Sequence, residues 1–108
     1  MKIFKYDDYT CKIGENAKEN WELLDNSSEN NIFLHLSSFS SGYVIIEYTT
    51  NLNLDMLYTG ALLCKNHTKY RHISNIKVDY CRCFNLIKGD KVGDVIFKSK
   101  RQVKQIKL

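Results

Sequence analysis

The stretch from Ile32 to Tyr48 reads IFLHLSSFSSGYVIIEY, and its reading decides the fold. Its ends, Ile32–Leu36 and Tyr43–Tyr48, are runs of β-branched, aromatic and other apolar residues, the composition of strands. Between them Ser37-Ser38-Phe39-Ser40-Ser41-Gly42 is a loop of small residues that can bond their own backbone. The Val44-Ile45-Ile46 core of the second run marks a buried central strand.

Upstream, Ile3–Tyr6 and Tyr9–Ile13 read as two short strands around an Asp7-Asp8 turn, with Gly14 breaking the second. Ala17, Trp21 and Leu24 then recur at helical spacing, with Glu15 and Glu19 near the helix start, where the dipole favours acids, and Asn26-Ser27-Ser28 closing the helix. Downstream, Asn51 or Asn53 can cap a second helix. Leu54, Leu57, Tyr58, Ala61 and Cys64 would form its buried stripe. Ile73–Tyr80, Val92–Phe97 and Val103–Ile106 read as further strands, and Lys88-Gly89-Asp90 and Ser99-Lys100-Arg101 as turns. The expected fold is α+β: one domain with a mixed, mostly antiparallel sheet and two helices, in the order β-β-α-β-β-α-β-β-β.

With 108 residues, the chain is long enough to bury one modest core. Charged residues at 26% and hydrophobic ones at 44% argue against disorder. No apolar run approaches the roughly 18 residues of a membrane span. Residues 1–8, MKIFKYDD, lack the apolar core of a signal peptide, so a cytoplasmic location is expected, with Cys11, Cys64, Cys81 and Cys83 as free thiols.

The charge is divided unevenly. Residues 1–60 carry four basic and nine acidic side chains, net −5, and residues 61–108 carry twelve and three, net +9, giving +4 for the whole. A basic half set against an acidic one points to phosphates or another polyanion.

The same stretches, in order, resemble the NFACT-R family, the RNA-binding module of fibronectin-binding-type and ribosome quality-control proteins. Gly14-Glu15-Asn16-Ala17-Lys18-Glu19-Asn20 looks like its glycine-then-asparagine helix start. Phe33-Leu34-His35-Leu36 looks like its Trp-Phe-His-Val strand end, with Phe33 in place of tryptophan. Ser40-Ser41-Gly42-Tyr43-Val44 looks like its small-residue turn, with Tyr43 where the family has a second histidine. Gly60-Ala61-Leu62 with Lys65 or Lys69, Val78-Asp79-Tyr80, Lys88 and Gly93-Asp94-Val95 follow in family order. The resemblance spans about Tyr9 to Ile106 and implies a non-catalytic, cofactor-free domain that binds tRNA or ribosomal RNA, with a place in translation.

On that reading Lys65, Lys69, Arg71, Arg82, Lys88 and Arg101 hold phosphates, while His35, Ser40 and Ser41 fix the register. Tyr70 and Phe84, near loops, are the aromatics suited to stacking on bases, whereas Tyr80 and Phe97 lie in strands and should be buried. The expected partner is RNA or the ribosome, with DNA as the other nucleic acid such a surface admits. The rival reading is a protein-interaction module whose basic face steers an acidic partner. A third reading, a small metal or redox protein built on Cys81-Arg82-Cys83 with Cys64, His67 and His72, has unsuitable ligand spacing, so no metal is expected. The sequence contains no phosphate loop, nucleophile elbow or zinc-protease motif, and no enzymatic role is expected.

Overall fold

The computed structural model describes all residues, 1–108. Two strands open the chain, β1 (Lys2–Lys5) and β2 (Tyr9–Ile13). Helix α1 (Ala17–Asp25) follows, then β3 (Ile32–Leu36), β4 (Val44–Tyr48) and helix α2 (Leu54–Asn66). The second half holds β5 (Lys77–Arg82), β6 (Leu86–Lys88), β7 (Val95–Phe97) and β8 (Lys104–Lys107), with 3-10 turns at Cys83–Asn85 and Lys100–Gln102.

Six strands form one sheet in the order β1-β2-β4-β3-β5-β8, and β6 pairs with β7 in a separate hairpin. Every pairing is antiparallel. The quoted stretch is the centre of this sheet: Ile32 faces Ile46, Phe33 faces Ile45 and Leu34 faces Val44. Because side chains alternate along a strand, these residues split between two cores. Ile32, Leu34, Val44 and Ile46 join Cys11, Val78, Leu57, Ala61 and Cys64 beneath α2. Phe33, Tyr43, Ile45 and Cys81 join Leu23 of α1 and Leu86 of the β6–β7 hairpin on the other face. Both faces of β3 and β4 are covered, which explains their near-continuous apolar runs.

Both helices begin on an asparagine cap. The Asn16 side-chain oxygen accepts from the Glu19 N–H at 2.9 Å, and that of Asn53 from the Met56 N–H at 3.0 Å, so Asn53 rather than Asn51 starts α2. Helix α2 lies close on the sheet at Gly60, where a Cβ would stand 2.8 Å from Ile46 Cδ1. No helix is long and apolar enough to cross a membrane.

The α+β class and the two helices agree with the sequence; several details do not. The strand expected from Ile73 begins at Lys77, since Ser74 and Asn75 form a turn, with Asn75 in the left-handed region at φ 59°. Strand β6 was not anticipated; its three residues are too few to show a period. Leu54 and Tyr58 point outward, because the inward stripe of α2 is Met56, Leu57, Gly60, Ala61 and Cys64. Likewise the inner face of α1 is Asn20 and Leu23, with Ala17 exposed and Trp21 only half-buried.

Candidate functional site

The largest concavity is a groove of about 960 Å³ on the α1 side of the sheet. Phe33 and His35 of β3, Tyr43 before β4, Asp79 of β5 and Phe97 of β7 line it, with residues 38–42 on one side and Val92–Val95 on the other. Alternation places His35 and Asp79 here, since they oppose one another across β3 and β5. Asn20 and Tyr43 hold the walls together. The Tyr43 N–H donates to Asn20 Oδ1 at 3.1 Å, and the Tyr43 hydroxyl donates to the Gly93 carbonyl. Burial, with a lesser contribution from Asp94, pushes the Tyr43 phenol up to about 12.

His35 is half-buried, its ring parallel to Phe33 at 6.3 Å and edge-on to Tyr43 at 5.8 Å. Its Nδ1 lies 2.7 Å from the Leu36 carbonyl, a distance at which Nδ1–H donates. Burial holds the imidazole below its usual pKa, outweighing the carbonyl and the nearby Asp79 carboxylate. The unfolded chain therefore takes up the proton first, and stability should fall as pH drops from about 7.5 through the unfolded histidine value near 6.5. Urea unfolding across that range checks this. His35→Gln should flatten the slope, and an unchanged slope would assign it to other groups.

The remaining expected contacts are dispersed. Ser41 Oγ is turned inward, accepting from the Leu36 N–H at 3.1 Å and donating to the Gly42 carbonyl at 3.0 Å, whereas Ser40 is exposed, as are Ser38 and Phe39 beside it. Lys69 lines the groove with its ammonium 5.4 Å from the Tyr70 ring centroid, and Lys65 sits in the last turn of α2. Arg71 Nη1 reaches back to the Thr68 carbonyl at 3.4 Å. Arg82 donates to the Asn30 carbonyl at 3.0 Å and to the Tyr48 hydroxyl at 2.6 Å, joining the start of β3 to the end of β4. Lys88 pairs with Asp25 at 2.5 Å and lies 4.9 Å over the Trp21 ring, fastening the hairpin to α1. Arg101 is exposed in the 3-10 turn before β8. Tyr70 packs on Phe39 at 4.5 Å between ring centroids, and Phe84 is exposed. Tyr80 and Phe97, expected to be buried in strands, are half-buried against the two cores, and Phe97 also lines the groove.

Of the expected nucleic-acid contacts, only His35, Ser40, Ser41 and Lys69 share the groove, and its charge has the opposite sign to the one expected. Glu15, Asp79 and Asp94 line it against the single ammonium of Lys69. Asp79 accepts from Gln105 Nε2 at 2.8 Å. No group of three or more His, Cys, Asp and Glu side chains is arranged to hold a metal. The cysteines are buried free thiols, and burial pushes Cys64 and Cys81 up to about 11 and Cys11 and Cys83 to about 12. They are poor nucleophiles and poor ligands.

No protein-family model and no curated protein matches the chain. Among solved structures, the C-terminal part of the fibronectin/fibrinogen-binding protein of Streptococcus suis shares the fold, with a TM-score of 0.82 at 21% identity. The match covers 100% of this chain and 47% of that one, so the chain spans about half the length of the structure it resembles. The expectation of an RNA- or DNA-binding basic half is corrected here. The protein sharing the fold is named for binding proteins, and three carboxylates line the groove. Arg82 and Lys88, meanwhile, are engaged within the fold.

Proposed function

We propose that this domain is a protein-interaction module that takes an acidic, extended segment of its partner along β8. One observation carries this reading: Lys77 and Lys107 stand directly opposite one another across β5 and β8. Like charges in register cost stability in the free protein, and a partner carboxylate beside Lys107 on the free side of β8 would offset part of that cost. Strand β8 is an edge of the sheet, so one side of its backbone has no neighbouring strand. Lys104 and Lys107 lie on it, Lys100 and Arg101 immediately precede it, and none of these cations is ion-paired within the chain. Edge lysines disfavour pairing with an uncharged strand, which would strip water from their ammonium groups; an acidic strand turns the same charges into attraction and adds main-chain hydrogen bonds.

The S. suis protein sharing the fold is named for protein ligands, which favours the same class of partner. Kinship with NFACT-R domains stays part of the proposal on the order of the short motifs and does not depend on RNA. A cytoplasmic location is supported by the four buried free thiols.

The test is titration with an acidic peptide of about ten residues, built on alternating Glu and Val and followed by amide NMR shifts. Shifts should centre on Lys104–Leu108, and methylating alternate peptide nitrogens should abolish them. Lys77→Glu with Lys107→Glu should weaken binding at least about tenfold, or about 1.4 kcal/mol. Shifts elsewhere, or binding indifferent to both changes, would overturn the proposal.

A further inference from the structure

Helix α2 presents an apolar outer face that nothing in the chain covers. Leu54, Tyr58 and Leu62 are 72%, 49% and 45% exposed, while the opposite face of the same helix is fully buried. At 3.6 residues per turn the three fall within about 80° of one another, as one continuous ridge. Asp55 and Lys65 lie at the N- and C-terminal ends of that ridge, and neither takes part in an ion pair.

We infer that α2 is a self-association surface, pairing with α2 of a second copy of this chain in antiparallel orientation about a two-fold axis. The charge pattern selects this occupant. With the axis at the level of Gly60, Asp55 of each copy faces Lys65 of the other. In the same register Tyr58 of each faces Leu62 of the other. One register thus pairs the charges and sets Tyr58 against Leu62, with Leu54 at the rim opposite Asn66, in a self-complementary two-fold contact. A parallel pairing would instead set Asp55 against Asp55 and Lys65 against Lys65. The contact rests on three apolar side chains per copy, which makes it small and the association weak. It uses none of the β8 cations and stands apart from the peptide-binding proposal.

Sedimentation equilibrium from about 10 µM to about 1 mM suits an interface of this size. The mass should rise from one chain's 12.7 kDa toward twice that value. Asp55→Lys alone and Lys65→Glu alone should each abolish the rise, with circular dichroism confirming that the variants stay folded. Mixing the two single variants should restore it, because each hetero-pair then carries two opposite-charge contacts. A chain that stays monomeric throughout would overturn the inference. So would a dimer indifferent to the single reversals, or one that the mixture fails to rescue.

Discussion

Phe33→Ala is expected to destabilise the domain by about 3–5 kcal/mol, the range for removing a buried aromatic ring. Phe33 is 1% exposed at the centre of the second core, opposite Ile45 on one side and Cys81 on the other. Tyr43 meets its ring edge-on at 4.8 Å and Phe97 at 6.3 Å. These neighbours belong to different elements, all fastened elsewhere: Tyr43 to Asn20 and Gly93, and the β7 end through Lys98 N–H to the Asn85 carbonyl at 2.8 Å. They cannot collapse freely into the space, so the cavity cost should be near its full size. In thermal unfolding the midpoint should fall by more than about 10 °C. Phe97→Ala, at a half-buried position, should cost clearly less. Equal losses at the two sites, or a loss below about 1.5 kcal/mol at Phe33, would mean that the second core is looser than its contacts imply.

Gly42→Ala should cost about 3 kcal/mol, through overpacking against backbone. A Cβ on Gly42 would stand 2.1 Å from the carbonyl oxygen of Gly14. That carbonyl is backbone beside the junction of β2 and β4, where the Gly14 N–H donates to the Tyr43 carbonyl at 3.0 Å, so shifting it strains that junction. Relieving the clash means separating the end of β2 from the start of β4 and disturbing the Tyr43–Asn20 hydrogen bond. Gly14→Ala makes a useful contrast. Its Cβ would also meet an atom at 2.1 Å, but that atom is Asn20 Oδ1, the tip of a side chain that can rotate, and the nearest backbone atom, Asn20 N, stands farther off at 3.1 Å. Its cost should be about 1–2 kcal/mol, the price of one lost hydrogen bond to a buried N–H. Denaturant unfolding of the two variants gives the ranking, and Gly14→Ala costing more than Gly42→Ala would refute this account of the crossing.

The parts of the fold legible in the sequence are those where burial and period agree. Ile32–Leu36 and Val44–Tyr48 could be read because both faces of the central strands are covered, leaving no polar alternation to confuse them. Helix α2 was legible as a helix, but its inward face was not, since it is apolar on nearly every side and spacing alone could not choose between Leu54 and Met56. In α1 the inner position is Asn20, a polar residue buried because it caps the Tyr43 N–H; hydropathy cannot announce such a role. The groove was hidden for a similar reason. Asp79 and His35 share it only through the β3–β5 pairing, and Asp94 arrives on a hairpin whose strands have three residues each. Counting charges by halves of the chain treated Lys88 and Arg82 as free, whereas folding spends them on Asp25, Asn30 and Tyr48. The pairing of Lys77 with Lys107 depends on register and could not be counted at all.

The cysteines are distributed evenly between the two sides of the sheet. Cys11 and Cys64 belong to the core beneath α2, and Cys81 and Cys83 to the core beneath α1 and the hairpin. Each layer thus carries its own pair of silent reporters. A thiol reagent can reach them only when a layer parts from the sheet, so modification times at the two pairs act as separate clocks. Their ratio reads out whether the domain opens as one cooperative unit or sheds one layer before the other.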